Sequence, residues 1–318
     1  MDWITPMEPI STKKLISGSD WIHQIKWDGI RGLTYIEGDS IRVFTKNRNE
    51  RTAFYPELTD ARKLVKANRA VLDGEIIVLG DDGRPSFHRS LIRERVKSPG
   101  RVRHYMAKFP AAYAIFDILY LEDKPVTTLP LKERREILIS TVEQGQSFMI
   151  TDDFTDGHGL FELMKQKNWE GIVTKNIYSP YLPAKGHRAW YKLKAIKKLL
   201  AIICGTSLKA GMPNSLMLGV NREGALSFIG KASQGLSQTD LYLIKEYMPQ
   251  LKSDTSPFQD TSGLNEPDVV WFAPVLTCWV SFLEWTDDGV LRHPRILGFS
   301  SNSPEEADGR EWAMDERA

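Results

Sequence analysis

From about residue 200 the chain changes texture. Its apolar runs become short and recur at hairpin spacing: LLAIICGTSL, SLMLGVNREG, ALSFIGKA, VVWFAPVLTCWVSFLEW and VLRHPRIL, with one helical segment, SQTDLYLIKEYM. Strands so short and so close bury their apolar faces by pairing with one another. The segment is therefore expected to form a small barrel of five strands, with one helix begun by Ser237. Ahead of it strands and helices mix. WIHQIKWDG, RAVLDGEIIVLG, YAIFDILYL, NWEGIVTKN and WYKLK read as strands. PELTDARKLVKA (56–67), LPLKERREILISTVEQ and GLFELMKQK read as helices. A chain of 318 residues has room for two cores. The expected organisation is α+β: residues 1–197 with antiparallel sheets and flanking helices, then a β-barrel over 198–318 ending in a flexible acidic tail, PEEADGREWAMDER.

With 42% hydrophobic and 26% charged residues the composition is that of an ordinary globular protein. No run approaches the length a membrane span requires, and MDWITPMEPIST carries no basic segment followed by an apolar one, so a cytoplasmic protein without a membrane partner is expected. Cys204 and Cys278 sit in apolar runs without C-x-x-C or metal-ligand spacing, as buried free thiols do. The net charge of +1 conceals clustering. Residues 185–231 hold nine Lys or Arg against Glu223, and residues 84–108 hold eight against Glu94. Two runs this one-sided in a nearly neutral chain suit a groove that tracks phosphates.

Lys26-Trp27-Asp28-Gly29-Ile30-Arg31 is a K-x-D-G-x-R motif. Strand alternation places Gln24, Lys26 and Asp28 on one face, and Trp190, Lys192 and Lys194 likewise share a face. A lysine is a poor nucleophile until deprotonated, which costs about 4 kcal/mol near neutral pH from a reference pKa of about 10.4. Partial burial and neighbouring cations lower that cost; Arg31, Lys192 and Lys194 are the candidates, and each would also neutralise phosphate charge.

The hexamer has company in a fixed order: FTKNRNERTAFYPEL, LDGEIIVL, FDILYL, EGIVTK and WYKLK. With these motifs the chain, from PMEPI to RHPRILGF, resembles the covalent nucleotidyltransferases, the superfamily of ATP-dependent DNA ligases, RNA ligases and mRNA capping enzymes. It is most similar to the ligase domain of bacterial end-joining DNA ligases. The resemblance implies a nucleotidyltransferase domain followed by an OB-fold barrel, and a DNA ligase that carries AMP on Lys26 before sealing nicks in double-stranded DNA, with a place in DNA repair.

Residue roles follow from the resemblance alone. Lys26 would form the phosphoamide to AMP. Asp28 would orient its loop, and Arg31 would hold ribose or phosphate. Glu75 would bind ribose or a metal-bound water, and Glu170 would approach Mg2+ (or Mn2+), a hard cation suited to carboxylates. Phe116 would stack on adenine, Lys192 and Lys194 would grip the α-phosphate with help from Lys175, and Arg292 would contact pyrophosphate. Ile25 lies beside the nucleophile.

Four positions depart from the family pattern. Gln24 stands where related ligases usually place a glutamate that reads the adenine amino group; it keeps a carbonyl acceptor. Lys46 replaces arginine, Arg48 stands where glycine is common, and Ile296 replaces an aromatic in RHPRIL, where Arg295 has no assigned role. With 25 residues ahead of Lys26, ATP rather than NAD is the expected donor. A monomer is expected, and a DNA-end-binding protein as a further partner is left open. The rival readings are an RNA ligase or capping guanylyltransferase, and a non-catalytic oligonucleotide-binding protein. A Ser-His-Asp hydrolase is excluded by the lack of a G-x-S-x-G elbow.

Overall fold

The computed structural model describes residues 1–184, 186–222, 224–259, 268–286 and 288–314. Lys185 and Glu223 of the second basic run, and residues 315–318 of the tail, lie outside the described residues. The chain divides into two compact units, Met1–Ala195 and Ile196–Ala318.

The first unit contains two sheets. Strands β1 (Glu8–Ser11), β2 (Trp21–Ile25), β9 (Gly171–Asn176) and β10 (Gly186–Lys194) form one, in the order β1-β10-β9-β2. The other is built from β3 (Ile30–Glu37), β4 (Ser40–Thr45), β5 (Arg69–Val78), β6 (Ala111–Leu121) and β7 (Lys124–Pro125), in the order β4-β3-β5-β6-β7, with β8 (Phe148–Ile150) on β6. The sheets are not wholly antiparallel as expected. β1 runs parallel to β10, and β8 parallel to β6, because each joins its sheet from a remote part of the chain rather than through a hairpin.

Apolar residues on alternating faces create three layers. The outer face of the second sheet packs Ile36, Val43, Leu72 and Ile76 against Leu58 and Ala61 of one segment and Leu138 of helix α4 (Leu131–Thr141). The outer face of the first sheet packs Ile172, Leu193 and Ile25 against Leu160 and Met164 of α5 (Gly157–Gln166). Leu33, Val71, Phe116, Leu119, Tyr181 and Trp190 fill the space between the sheets.

The helix expected over 56–67 is a single α-turn, α1 (Pro56–Thr59), followed by 3-10 turns to Leu64. Val65 is extended and bridges Val142, so the apolar stripe is buried by a tighter, non-helical path. α4 is helical as expected, but Arg134 and Arg135 within its KERRE run are buried. Arg134 makes two hydrogen bonds to Asp117, of 2.8 and 2.9 Å, with both side chains fully enclosed. In the first basic run, helix α2 (Phe87–Glu94) turns Arg93 inward to Glu57 at 2.6 Å, and Arg84 and Arg89 pair with Asp82 and Asp81. Those three cations are held by the fold. Lys97, Arg101 and Arg103 remain at the surface near helix α3 (Val102–Lys108).

In the second unit β11 (Lys197–Lys209), β12 (Met212–Arg222), β13 (Ala225–Ala232), β14 (Lys252–Ser253), β15 (Val269–Phe282), β16 (Arg295–Ser300) and β17 (Glu311–Ala313) form one sheet. β12 lies between β13 and β11, β11 pairs with β15, and β15 with β16. A bridge from Gln234 to Arg295 returns the ladder to its start and closes the barrel. Helix α6 (Gln238–Leu251) begins in a capping box between Ser237 and Asp240, and its Ile244 joins the core.

VLRHPRIL is not one strand. His293 has φ of 54°, and β16 begins only at Arg295. Within the tail, β17 pairs with β11, and Glu311 bonds Lys197 at 2.5 Å. Cys204 and Cys278 are buried free thiols; burial pushes the Cys278 thiol up to about 12. Among the described residues no helix is long and apolar enough to cross a membrane.

Candidate active site

The pairing register of the first sheet sets Gln24, Val173 and Lys192 in one row, with Ile22, Lys175 and Trp190 two residues away. A separation of two returns each side chain to the same face, here the inner one. On the opposing sheet Arg31 and Glu75 are cross-strand partners. The two faces enclose an open cavity of about 170 Å³ whose lining includes Gln24, Ile25, Lys26, Arg31, Lys46, Glu75, Phe116, Lys175 and Lys192. Nine of the residues singled out in the sequence thus converge on one space.

The turn after β2 depends on close backbone approach. A Cβ at Gly29 would lie 2.3 Å from the carbonyl oxygen of Ile76, so KWDGIR tolerates no side chain there. Gly171 has φ of 136°, and a Cβ on it would lie 2.1 Å from the Leu193 carbonyl oxygen. The carbonyl of Gly171 accepts the Lys26 amide proton at 2.9 Å and extends the ladder to the nucleophile candidate. The other family glycine has become Arg48, whose φ of 64° shows why glycine suits the position.

Lys26 is not in bulk solvent, its side chain being 20% exposed. Its Nζ donates to Oε2 of Glu170 at 2.6 Å, while Lys194 Nζ lies 2.8 Å from Oε1 of the same carboxylate. The expectation that cations would be its nearest neighbours is corrected: an anion stands between Lys26 and Lys194. Burial works to raise the Glu170 pKa, but the two lysines outweigh it and leave the group below the ordinary value. Lys192 titrates below the usual lysine range through desolvation and the fields of Lys26 and Lys194. Glu75 is pushed up to about 7, chiefly by burial, with Arg31 and Lys26 acting against the rise.

Arg31 is committed to the protein: its Nε and Nη2 each bond Asp73 at 2.6 Å, and Nη2 also reaches the Met7 carbonyl. Its guanidinium lies 4.5 Å from the Phe116 ring centroid. Asp28 is buried and acts electrostatically on Glu75. Lys46 faces Glu8 at 3.5 Å at the exposed rim. Glu170 and Lys194 sit behind Lys26, outside the cavity lining. Arg292 belongs to the second unit, where its Nη1 bonds Glu284 at 2.5 Å.

Lys175 is the most unusual group. It is 2% exposed, its Nζ has no hydrogen-bond partner, and it lies 4.2 Å from the Phe116 and 4.1 Å from the Trp190 ring centroids. Desolvation lowers its pKa to about 7. A buried donor without an acceptor is costly, and this one lines a cavity open to a ligand. Sequence reasoning gave it a minor role. It missed Asp153 and Arg135 altogether: Gln24 Nε2 donates to Asp153 Oδ1 at 2.6 Å, and Arg135 Nε donates to Oδ2 at 2.8 Å. Nothing local marks Asp153 in the sequence.

Comparison with known proteins agrees with this geometry. Residues 6–194 match the family model of the ATP dependent DNA ligase domain, and residues 209–302 that of the ATP dependent DNA ligase C terminal region. The multifunctional non-homologous end joining DNA repair protein LigD of Mycobacterium tuberculosis is 29% identical over 306 residues, 93% of this chain and 38% of that protein. The chain thus spans well under half of that relative. DNA ligase C1 of Mycolicibacterium smegmatis is 27% identical, over 87% of this chain and 83% of its own. Among solved structures, mycobacterial DNA ligase D complexed with ATP superposes with a TM-score of 0.53 at 27% identity, covering 96% of this chain and 97% of that one. The architecture is that of a nucleotidyltransferase domain followed by an OB-fold domain.

Proposed function

Because the chain belongs to the ATP-dependent DNA ligase family, we propose that it seals nicks in double-stranded DNA through an AMP adduct on Lys26. The carrying observation is one cavity where the K-x-D-G-x-R lysine meets Lys192 and the unpartnered, buried Nζ of Lys175. A triphosphate supplies the acceptor oxygens that Lys175 lacks, and Phe116 borders the space for a base.

In the first step the neutral Lys26 amine attacks the α-phosphorus of ATP, the new N–P bond forms, and pyrophosphate leaves. Lys175 and Lys192 hold phosphate oxygens and absorb the charge that develops. Glu170 restrains the Lys26 ammonium in the absence of nucleotide, and Lys194 competes for the same carboxylate, so the contact that positions Nζ is shared and breakable. AMP then passes to the 5'-phosphate of the nick, and the 3'-hydroxyl displaces AMP to close the backbone; dividing the condensation in this way lowers each barrier.

Among the described residues no three carboxylate, His or Cys side chains form a self-contained metal site. Glu75 and Glu170 fit Mg2+ (or Mn2+) only together with nucleotide phosphates, the usual mode for this ion. A divalent cation so held would neutralise phosphate charge and compete with Lys26 for Glu170. Lys97, Arg101 and Arg103 are the surface we assign to the DNA backbone.

The test is incubation with α-labelled ATP or GTP and Mg2+, then with nicked DNA or RNA. Label on wild type but not on Lys26→Ala, with ATP preferred and DNA sealed, supports the proposal. Equal labelling of both proteins refutes it, GTP preference points to the capping-type reaction, and absence of any adduct points to a non-catalytic binding protein.

A further inference from the structure

The exchange of glutamate for Gln24 leaves an amide whose two ends differ in chemistry but hardly in shape. An oxygen facing the cavity would accept a hydrogen bond from an exocyclic amine, as adenine offers at C6. A nitrogen there would donate to a carbonyl, as guanine offers at the same position. Something must choose, and the structure holds a group that does.

Gln24 is 1% exposed and lines the cavity. Its Nε2 donates to Asp153 Oδ1 at 2.6 Å, and among the described residues its Oε1 accepts no hydrogen bond. Asp153 is itself held: Arg135 Nε donates to its Oδ2 at 2.8 Å. The same guanidinium donates through Nη2 to the Thr151 carbonyl at 2.6 Å and faces the Phe116 carbonyl at 3.4 Å. An ionised carboxylate only accepts, so turning the amide over would set oxygen against oxygen. The geometry points to Asp153, anchored by Arg135, as a positioning residue that presents the Gln24 carbonyl to the amino group of adenine and so sets the base specificity of the adduct.

The same contact accounts for the departure at position 24. A glutamate would place a second carboxylate against Asp153, and of two carboxylates in contact only one ionises readily. Position 24 and position 153 therefore act as a pair: amide with carboxylate here.

The inference rests on the proposed adduct chemistry, and adduct formation supplies its test. The ratio of kcat/KM for ATP to that for GTP is measured in wild type, Asp153→Asn, Gln24→Glu and the double variant, with thermal melting as a check on folding. Asp153→Asn frees the amide to turn, and the ratio should fall by at least about tenfold. Purine riboside triphosphate, which lacks a C6 substituent, should be used about equally by both. Gln24→Glu should lower adduct formation with ATP, and adding Asp153→Asn should restore it, because an asparagine can donate to Glu where Asp153 could not. A purely structural role for Asp153 would produce neither the base-dependent loss nor the rescue. A folded Asp153→Asn with an unchanged ratio, or a double variant no better than Gln24→Glu alone, overturns the inference while leaving the ligase reading intact. Failure of wild type to form any adduct overturns both.

Discussion

Replacing Lys175 by methionine separates stability from function. The fall of its pKa from 10.5 to about 7 corresponds to about 5 kcal/mol against the ammonium in the folded chain at pH 7, at 1.36 kcal/mol per unit. Methionine keeps the length of the side chain and carries no charge, so Lys175→Met should be more stable than wild type by up to about 4 kcal/mol near pH 7, where half of the folded chains already hold the neutral amine. The sign with pH follows from proton binding. Between about 7 and 10.5 the unfolded chain holds a proton the folded chain has released, so wild-type stability rises with pH through that window. The variant should lack this rise. A bound phosphate should return the lysine to its ammonium form, so at pH 8 binding a non-reactive ATP analogue should take up about 0.9 proton in wild type and none through position 175 in the variant. Urea unfolding from pH 7 to 10 and calorimetry in buffers of different ionisation enthalpy measure both. A less stable Lys175→Met, or equal proton uptake by the two proteins, refutes the reasoning.

Arg134→Leu should destabilise the first unit by about 3–5 kcal/mol in urea unfolding, since it strands the enclosed Asp117 carboxylate; a loss under about 1 kcal/mol would show that Asp117 is not held as an anion. Arg48→Gly should relieve left-handed backbone strain of about 1 kcal/mol, less what the glycine loses in chain entropy, so the melting temperature should rise slightly or stay level; a marked fall would mean the Arg48 side chain matters more than its backbone. Replacing Lys97, Arg101 and Arg103 together by alanine should weaken nick binding and reduce its salt slope by about 2–3; an unchanged slope would remove this surface from the DNA groove.

Much of the cavity was legible because its residues belong to short motifs in regular strands. Where a strand alternates, side chains two apart share a face, so Trp190, Lys192 and Lys194 can be grouped before coordinates exist, whereas the pairing of Gln24 with Val173 is set by the ladder itself. The glycines of KWDGIR and EGIVTK were visible as motif members, though their cause, collision with the Ile76 and Leu193 carbonyls, was not. The helix over 56–67 was misread because its apolar stripe satisfies 3-10 turns and an extended Val65 equally well. The pairing of Glu311–Ala313 with β11 was not legible because the two strands lie over a hundred residues apart.

Local pattern alone led to two β-rich units, and the resemblance to the nucleotidyltransferases singled out Lys26. The tertiary structure decided which charges are free to meet a ligand. Arg93 and Arg134 look in the sequence like the other basic residues and Arg31 like a ligand-binding one, yet each is bound to a carboxylate of the fold, while Lys175 is left buried without an acceptor. The reason is physical: the work a charge can do depends on its solvation and its partners, and both are set by residues that come near only when the sheets close.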